Sequence, residues 1–173
     1  RPLPPLAPSA DHVSRTWNND VRVTASSSAA DPFGTLNLGS GYSPAATVDG
    51  DRNTAWWSDP EHESWFELKS PKPKNFGHVT FVLQSPSSYR LPTTVELKVV
   101  DAAGKGTTLR QQVRPSGDVT FDLSTSKLGE LRLKFPNSSG KTVRAISEIR
   151  SSTVNLERVS TLPRLIDFSQ TKL

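Results

Sequence analysis

The chain of 173 residues reads as an all-β protein, an antiparallel β-sandwich of the jelly-roll kind. Three observations predict this. Eight or nine short segments alternate apolar and polar residues, the period of a half-buried strand. Turn residues separate these segments at regular spacing, and no stretch carries a long helical periodicity. The composition agrees: 14 Pro, 10 Gly and 34% apolar residues suit a loop-rich β protein better than a helical bundle.

In chain order, residues 1–19 open on Pro2, Pro4, Pro5 and Pro8 and read as an extended lead-in or linker. The sandwich is expected over residues 20–159, with 160–173 as a tail. Val21, Val23 and Ala25 alternate with polar residues between Asp20 and Ser28, giving a first strand. Residues 29–44 form a long Gly/Ser/Pro/Asn loop carrying Phe33, Leu36, Leu38 and Tyr42; loops of this length in a compact domain are often functional. Ser43 as N-cap and Pro44 at the first position predict a short helical turn over Pro44–Val48.

Ser64–Leu68 is the next strand, with Trp65 and Phe66 on opposite faces. Pro71 and Pro73 predict a turn. Strands follow over Gly77–Leu83 and Thr94–Asp101, the second preceded by a loop with Tyr89 and Arg90. A turn at Ala102–Gly106 leads into a hairpin partner, Thr107–Arg114. Further strands are expected over Asp118–Leu123, Gly129–Phe135, Val143–Arg150 and Ser152–Val159. Leu162, Leu165, Ile166 and Phe168 in the tail either pack on the sandwich or belong to a following domain.

Several function classes are argued against. With no Cys there is no disulfide, thiolate metal site or Cys nucleophile. No apolar run approaches a membrane span, and no signal-peptide core is visible. The absence of Met points to a mature piece or a segment of a longer chain. The net charge of +4 is scattered; Lys69, Lys72 and Lys74 form the only short basic cluster, too thin for a nucleic-acid reader. His12, His62 and His78 are isolated from any Ser-containing elbow, so the chain is not expected to be an enzyme.

One stretch organises the rest: Ala45 to Trp57. Asp49 and Asp51 flank Gly50, which suits a tight turn. The same carboxylates, with the Thr54 hydroxyl and backbone carbonyls, are the hard oxygens that Ca²⁺ takes. The other reading is a plain turn before a buried Trp. If Trp56 points inward, strand alternation sends Trp57 to the other side.

Taken together, these segments resemble the discoidin-like superfamily: the coagulation-factor C-type domains and carbohydrate-binding module family 32, which share a galactose-binding-like fold. The residues that carry the resemblance are Thr24–Ser28, the run Ala-x-Val-Asp-Gly-Asp-x-x-Thr-Ala-Trp from Ala46 to Trp56, Trp65–Leu68, Tyr89–Pro92 before the Val95/Leu97/Val99 strand, and Ile146–Ile149. The match spans residues 20–155. It implies a structural Ca²⁺ held by Asp49, Asp51, Thr54 and Glu148, with the carbonyls of Ala46 and Ser147, tying the acidic loop to the last strand. In the alternative, Arg52 or a water fills that turn.

The resemblance also implies a sugar site in loops at one end of the sandwich. The candidates are Trp57, His62, Tyr89 and Arg90, with Phe33 or Tyr42 beside them. An exposed Trp stacks on a sugar's apolar face, and Arg makes paired bonds to vicinal hydroxyls. Each has a plainer reading: Trp57 covers a loop or a neighbouring domain, His62 is solvated among Asp59, Glu61 and Glu63, and Arg90 is an ordinary surface residue. The hydrophobic loop spikes of lipid-binding relatives are not evident, which argues against a membrane role.

The expected function is a non-catalytic carbohydrate-binding module of a larger exported or membrane-anchored cell-envelope protein. It would act outside the cytoplasm, binding a cell-wall polysaccharide through its rim loops and contacting neighbouring domains. The composition looks like that of an actinobacterial extracytoplasmic domain, and the sequence resembles the sandwich modules of mycobacterial arabinofuranosyltransferases and other envelope proteins, which implies a glycosyltransferase as a candidate parent protein. Arabinan and peptidoglycan are then candidate ligands. The alternative is a structural or protein-interaction sandwich without a sugar site.

Overall fold

The computed structural model describes residues 14–17, 20–28, 42–58, 64–84, 90–135 and 144–161. Its strands are β1 (Ser14–Trp17), β2 (Arg22–Ala25), β3 (Trp56–Trp57), β4 (Trp65–Lys74), β5 (Gly77–Leu83), β6 (Thr94–Asp101), β7 (Gly106–Gln112), β8 (Asp118–Leu123), β9 (Leu128–Lys134), β10 (Ala145–Ser151) and β11 (Arg158–Thr161). A five-stranded sheet runs β2-β4-β9-β6-β7, and a four-stranded sheet runs β3-β10-β5-β8. Pairing between neighbouring strands is antiparallel throughout both sheets. The all-β sandwich is as the patterning predicts.

The alternating residues build the core. Phe66 and Leu68 on β4, Val95 and Leu97 on β6, and Leu131 and Leu133 on β9 are buried. From the other sheet Val79 and Phe81 on β5, and Val119 and Phe121 on β8, are buried too, with Phe81 and Phe121 edge-to-face at 6.2 Å. The β6–β7 hairpin closes as its sequence predicts, with Asp101 Oδ1 accepting bonds from the amides of Ala103 and Lys105, each at 2.9 Å. Gly117 turns the chain toward β8 at φ +89°, and a Cβ there would run into the Leu83 carbonyl. At the mouth of β2, a hydrogen bond from Lys74 holds the Asp20 carboxyl below its usual range.

One strand departs from alternation. Ile146 and Ile149 are three residues apart, yet both are buried. A bulge between Ile146 and Glu148 explains this: Ile146 faces Leu83 while Glu148 already faces Val82. The extra residue, Ser147, lets both isoleucines point inward and leaves Glu148 and Arg150 together on the outside.

Three segments differ from the sequence reading. Pro71 and Pro73 do not form a turn: β4 continues through them to Lys74, with its register slipping between Lys69 and Lys74. Proline lacks the donor for a regular ladder, so the strand passes both residues inside this irregular stretch. Residues 152–154 are bends and 155–157 are irregular, where a strand is expected. Ser151 Oγ accepts from the amides of Thr153 (3.3 Å) and Val154 (3.0 Å), and Asn155 Oδ1 from Glu157 (3.1 Å), so side-chain turn bonding replaces the ladder. Ser14–Trp17, inside the expected lead-in, pair with β11. No helix among the described residues is long and apolar enough to cross a membrane.

Candidate functional site

The 3-10 turn Pro44–Val48 forms where Ser43 and Pro44 predict it, although Ser43 makes no side-chain cap. Its buried face, Ala46, Thr47 and Val48, seats the acidic loop against the sandwich. Gly50 takes φ +79°, and a Cβ there would strike the Glu157 carboxylate, so this loop and the C-terminal segment meet at a residue without a side chain.

Oxygens converge on Thr54. Its Oγ1 lies 2.7 Å from Asp49 Oδ2, 2.8 Å from the Asp51 carbonyl and 3.4 Å from the Ala46 carbonyl. One other expected metal ligand is engaged locally: Asp51 Oδ1 accepts from the amide and side chain of Asn53 at 2.8 and 2.9 Å. Glu148 does tie the loop to the last strand, through a cation that the chain itself supplies. Its Oε2 accepts from Arg52 Nε at 3.2 Å and from Arg150 Nε at 3.0 Å. No group of three His, Cys, Asp or Glu side chains suited to a metal occurs among the described residues. The part of the set that fits a hard cation is therefore the oxygen cluster around Thr54: one carboxylate, one hydroxyl and two carbonyls.

The tryptophans divide as alternation requires. Trp56 is fully buried, and Trp57 is half-buried at the rim. Trp57 meets the Tyr42 ring edge-to-face at 5.8 Å, and its amide donates to the Tyr42 carbonyl at 3.4 Å. Tyr42 holds a left-handed φ of 63°, a conformation a bulky residue adopts only when its surroundings impose it. Arg90 is exposed, and no hydrogen bond or ion pair links it to Trp57 among the described residues. His62, Tyr89 and Phe33 lie outside the described residues.

The sequence reading missed a cleft of about 460 Å³. Its walls are the end of the 3-10 turn with Gly50, the strand positions Glu148–Ser151, and the segment up to Glu157. The bulge that aims Glu148 and Arg150 outward was the only signal available, as the broken alternation of Ile146-Ser147-Glu148-Ile149.

No family model matches the chain. Among solved structures it is similar to an F5/8 type C domain from Bacteroides fragilis (TM-score 0.58, 16% identity, 87% of this chain and 98% of that one). It is similar to a family 32 carbohydrate-binding module from Clostridium perfringens in complex with galactose (TM-score 0.56, 14% identity, 75% and 91%). The fold is discoidin-like. The chain is also similar to part of a mycobacterial arabinofuranosyltransferase (TM-score 0.61, 20% identity, 90% of this chain and 13% of that one). In sequence, 106 residues are 31% identical to an alpha-(1->3)-arabinofuranosyltransferase of Mycobacterium tuberculosis, covering 60% of this chain. The chain spans 7% of that relative's length, so this discoidin-like sandwich corresponds to a small part of it.

Proposed function

We propose that the chain is a non-catalytic carbohydrate-binding module of a larger cell-envelope protein, facing a cell-wall polysaccharide from outside the cytoplasm. The observation that carries this is the rim aromatic pair. Strand β3 anchors itself with Trp56 in the core and presents Trp57 beside a conformationally constrained Tyr42. Structural neighbours that are carbohydrate-binding modules support the reading, as does the arabinofuranosyltransferase relative. Arabinan is the favoured polymer on that account, with Arg90 and the loop residues His62 and Tyr89 supplying polar contacts.

Titration of the chain with arabinan, and separately with galactose, tests it. A sugar face covering about 55 Å² of Trp57 at about 25 cal/mol per Å² is worth roughly 1.4 kcal/mol, or about tenfold in Kd. Trp57→Ala should therefore weaken binding about tenfold without changing the melting temperature materially. An unaltered Kd in that variant overturns the rim site. A sandwich that only packs on neighbouring domains would show no saccharide response in any variant. The half-cover of Trp57 by Tyr42 is the observation on that side.

The reading includes a structural Ca²⁺. Asp49, Thr54 and the carbonyls of Ala46 and Asp51 would hold it, while Glu148 stays with Arg52 and Arg150. Bound ion stabilises the folded state by about 2.7 kcal/mol at a hundred times its Kd. Chelation should lower the melting temperature, Ca²⁺ should restore it, and Asp49→Asn should abolish the response. A melting temperature indifferent to both chelator and Ca²⁺ removes the ion from the account.

A further inference from the structure

We infer that the cleft beside β10 is a second saccharide subsite, separate from the Trp57 rim; this rests on the carbohydrate-binding reading above. The cleft exists because β3 is short. It pairs with β10 only at Ala145 and Ile146, so the remaining β10 edge on that side has no strand partner among the described residues. The acidic loop and the segment up to Glu157 close over that edge, leaving about 460 Å³. That lies within the range of about 300–1,000 Å³ for small-molecule sites.

The lining decides the ligand class. It carries Glu148 and Glu157 on one hand and Arg150 on the other, with no aromatic residue. A free anion would meet two carboxylates. A cation would meet Arg150, with Arg52 at the same carboxylate. Apolar side chains also line it, Val48, Ile149, Val154 and Leu156, but a lipid chain laid on them would take Glu148, Glu157 and Arg150 out of water. A neutral polyol meets none of these conflicts.

The polar groups are also preset for one. Glu148 and Arg150 stand two apart on the same side of β10, and Arg150 Nε and Nη2 both grip Glu148 Oε2, at 3.0 and 2.9 Å. Among the described residues no donor reaches Glu148 Oε1 and no acceptor reaches Arg150 Nη1. A carboxylate acceptor thus sits beside a guanidinium donor, an arrangement that takes one hydroxyl of a vicinal diol on each. The hydroxyls of the wall serve a different purpose. Ser151 donates to the Phe76 carbonyl at 2.6 Å and Thr153 to the Asn75 carbonyl at 2.6 Å, which stiffens the cleft.

Amide-resolved NMR of the whole chain, titrated with an α-arabinofuranosyl oligosaccharide and with galactose, tests the inference. Saturable shifts are expected at Glu148–Glu157 as well as near Trp57. Trp57→Ala should leave the Glu148–Glu157 shifts in place, and Arg150→Gln should weaken them about tenfold while sparing the rim. Arg150→Lys keeps the charge but not the fork and should fall between. Shifts confined to the rim overturn the cleft and leave the carbohydrate-binding reading standing. Cleft shifts indifferent to both Arg150 variants overturn it as well. Silence at every amide ends both.

Discussion

Trp56→Ala is expected to cost about 3–5 kcal/mol, the range for deleting a large buried aromatic. Trp56 is fully buried. Its ring meets Phe66 edge-to-face at 5.2 Å and Phe135 at 6.1 Å, and its Nε1 donates to the Ser27 carbonyl at 2.9 Å. The truncation removes packing against two aromatics and takes the indole donor from the part-buried Ser27 carbonyl. Against a typical total of about 5–15 kcal/mol, that is a large share. At roughly 2–4 °C per kcal/mol for a chain of this size, the melting temperature should drop by about 6–20 °C. Urea unfolding gives the free energy directly. Trp57→Ala serves as the neighbour control, since that ring is half-exposed. A loss under about 1 kcal/mol for Trp56→Ala would mean that the core does not close around this residue.

Arg132→Met should destabilise by about 2–3 kcal/mol, through the charge it strands rather than the contact it removes. Glu67 and Arg132 are opposite one another on β4 and β9. Glu67 is only 7% exposed, unusual for a carboxylate on the solvent side of a sheet. Arg132 reaches it twice, from Nε at 3.0 Å and Nη2 at 2.5 Å, while lying over the Trp65 ring at 4.5 Å. Thr24 adds a weaker bond at 3.4 Å. Breaking a fully buried pair from one side costs about 3–5 kcal/mol. The Arg132 side chain is 32% exposed, so water relieves part of that. Adding Glu67→Gln to Arg132→Met should recover much of the loss, because the second change removes the orphaned charge. Strict additivity of the two substitutions would show that the pair is not coupled.

Much of the candidate site was legible before any coordinates. The run from Ala46 to Trp56 announces a turn and an oxygen cluster, and the structure brings Asp49, Thr54 and the Ala46 carbonyl together. Local chemistry suffices there, because the partners lie within eight residues of one another. Arg52 and Glu148 are 96 residues apart, and their pairing depends on where β10 lies. Residues 152–157 read as a strand because hydroxyl-rich bends and exposed strands share a composition. Only the position of Ser151 over the Phe76 carbonyl separates the two.

By itself, the amino-acid order determined most of the strands, which face of each goes inward, and that two adjacent tryptophans would face opposite sides. Those are consequences of a two-residue period and of burying apolar area, both local properties. The tertiary structure alone decided that Ser147 would be extruded as a bulge, that Glu148 would be claimed by Arg52 and Arg150, and that a short β3 would leave an open edge beside them. Each depends on the register between strands distant in the chain, which the packing of the two sheets sets and no local pattern encodes.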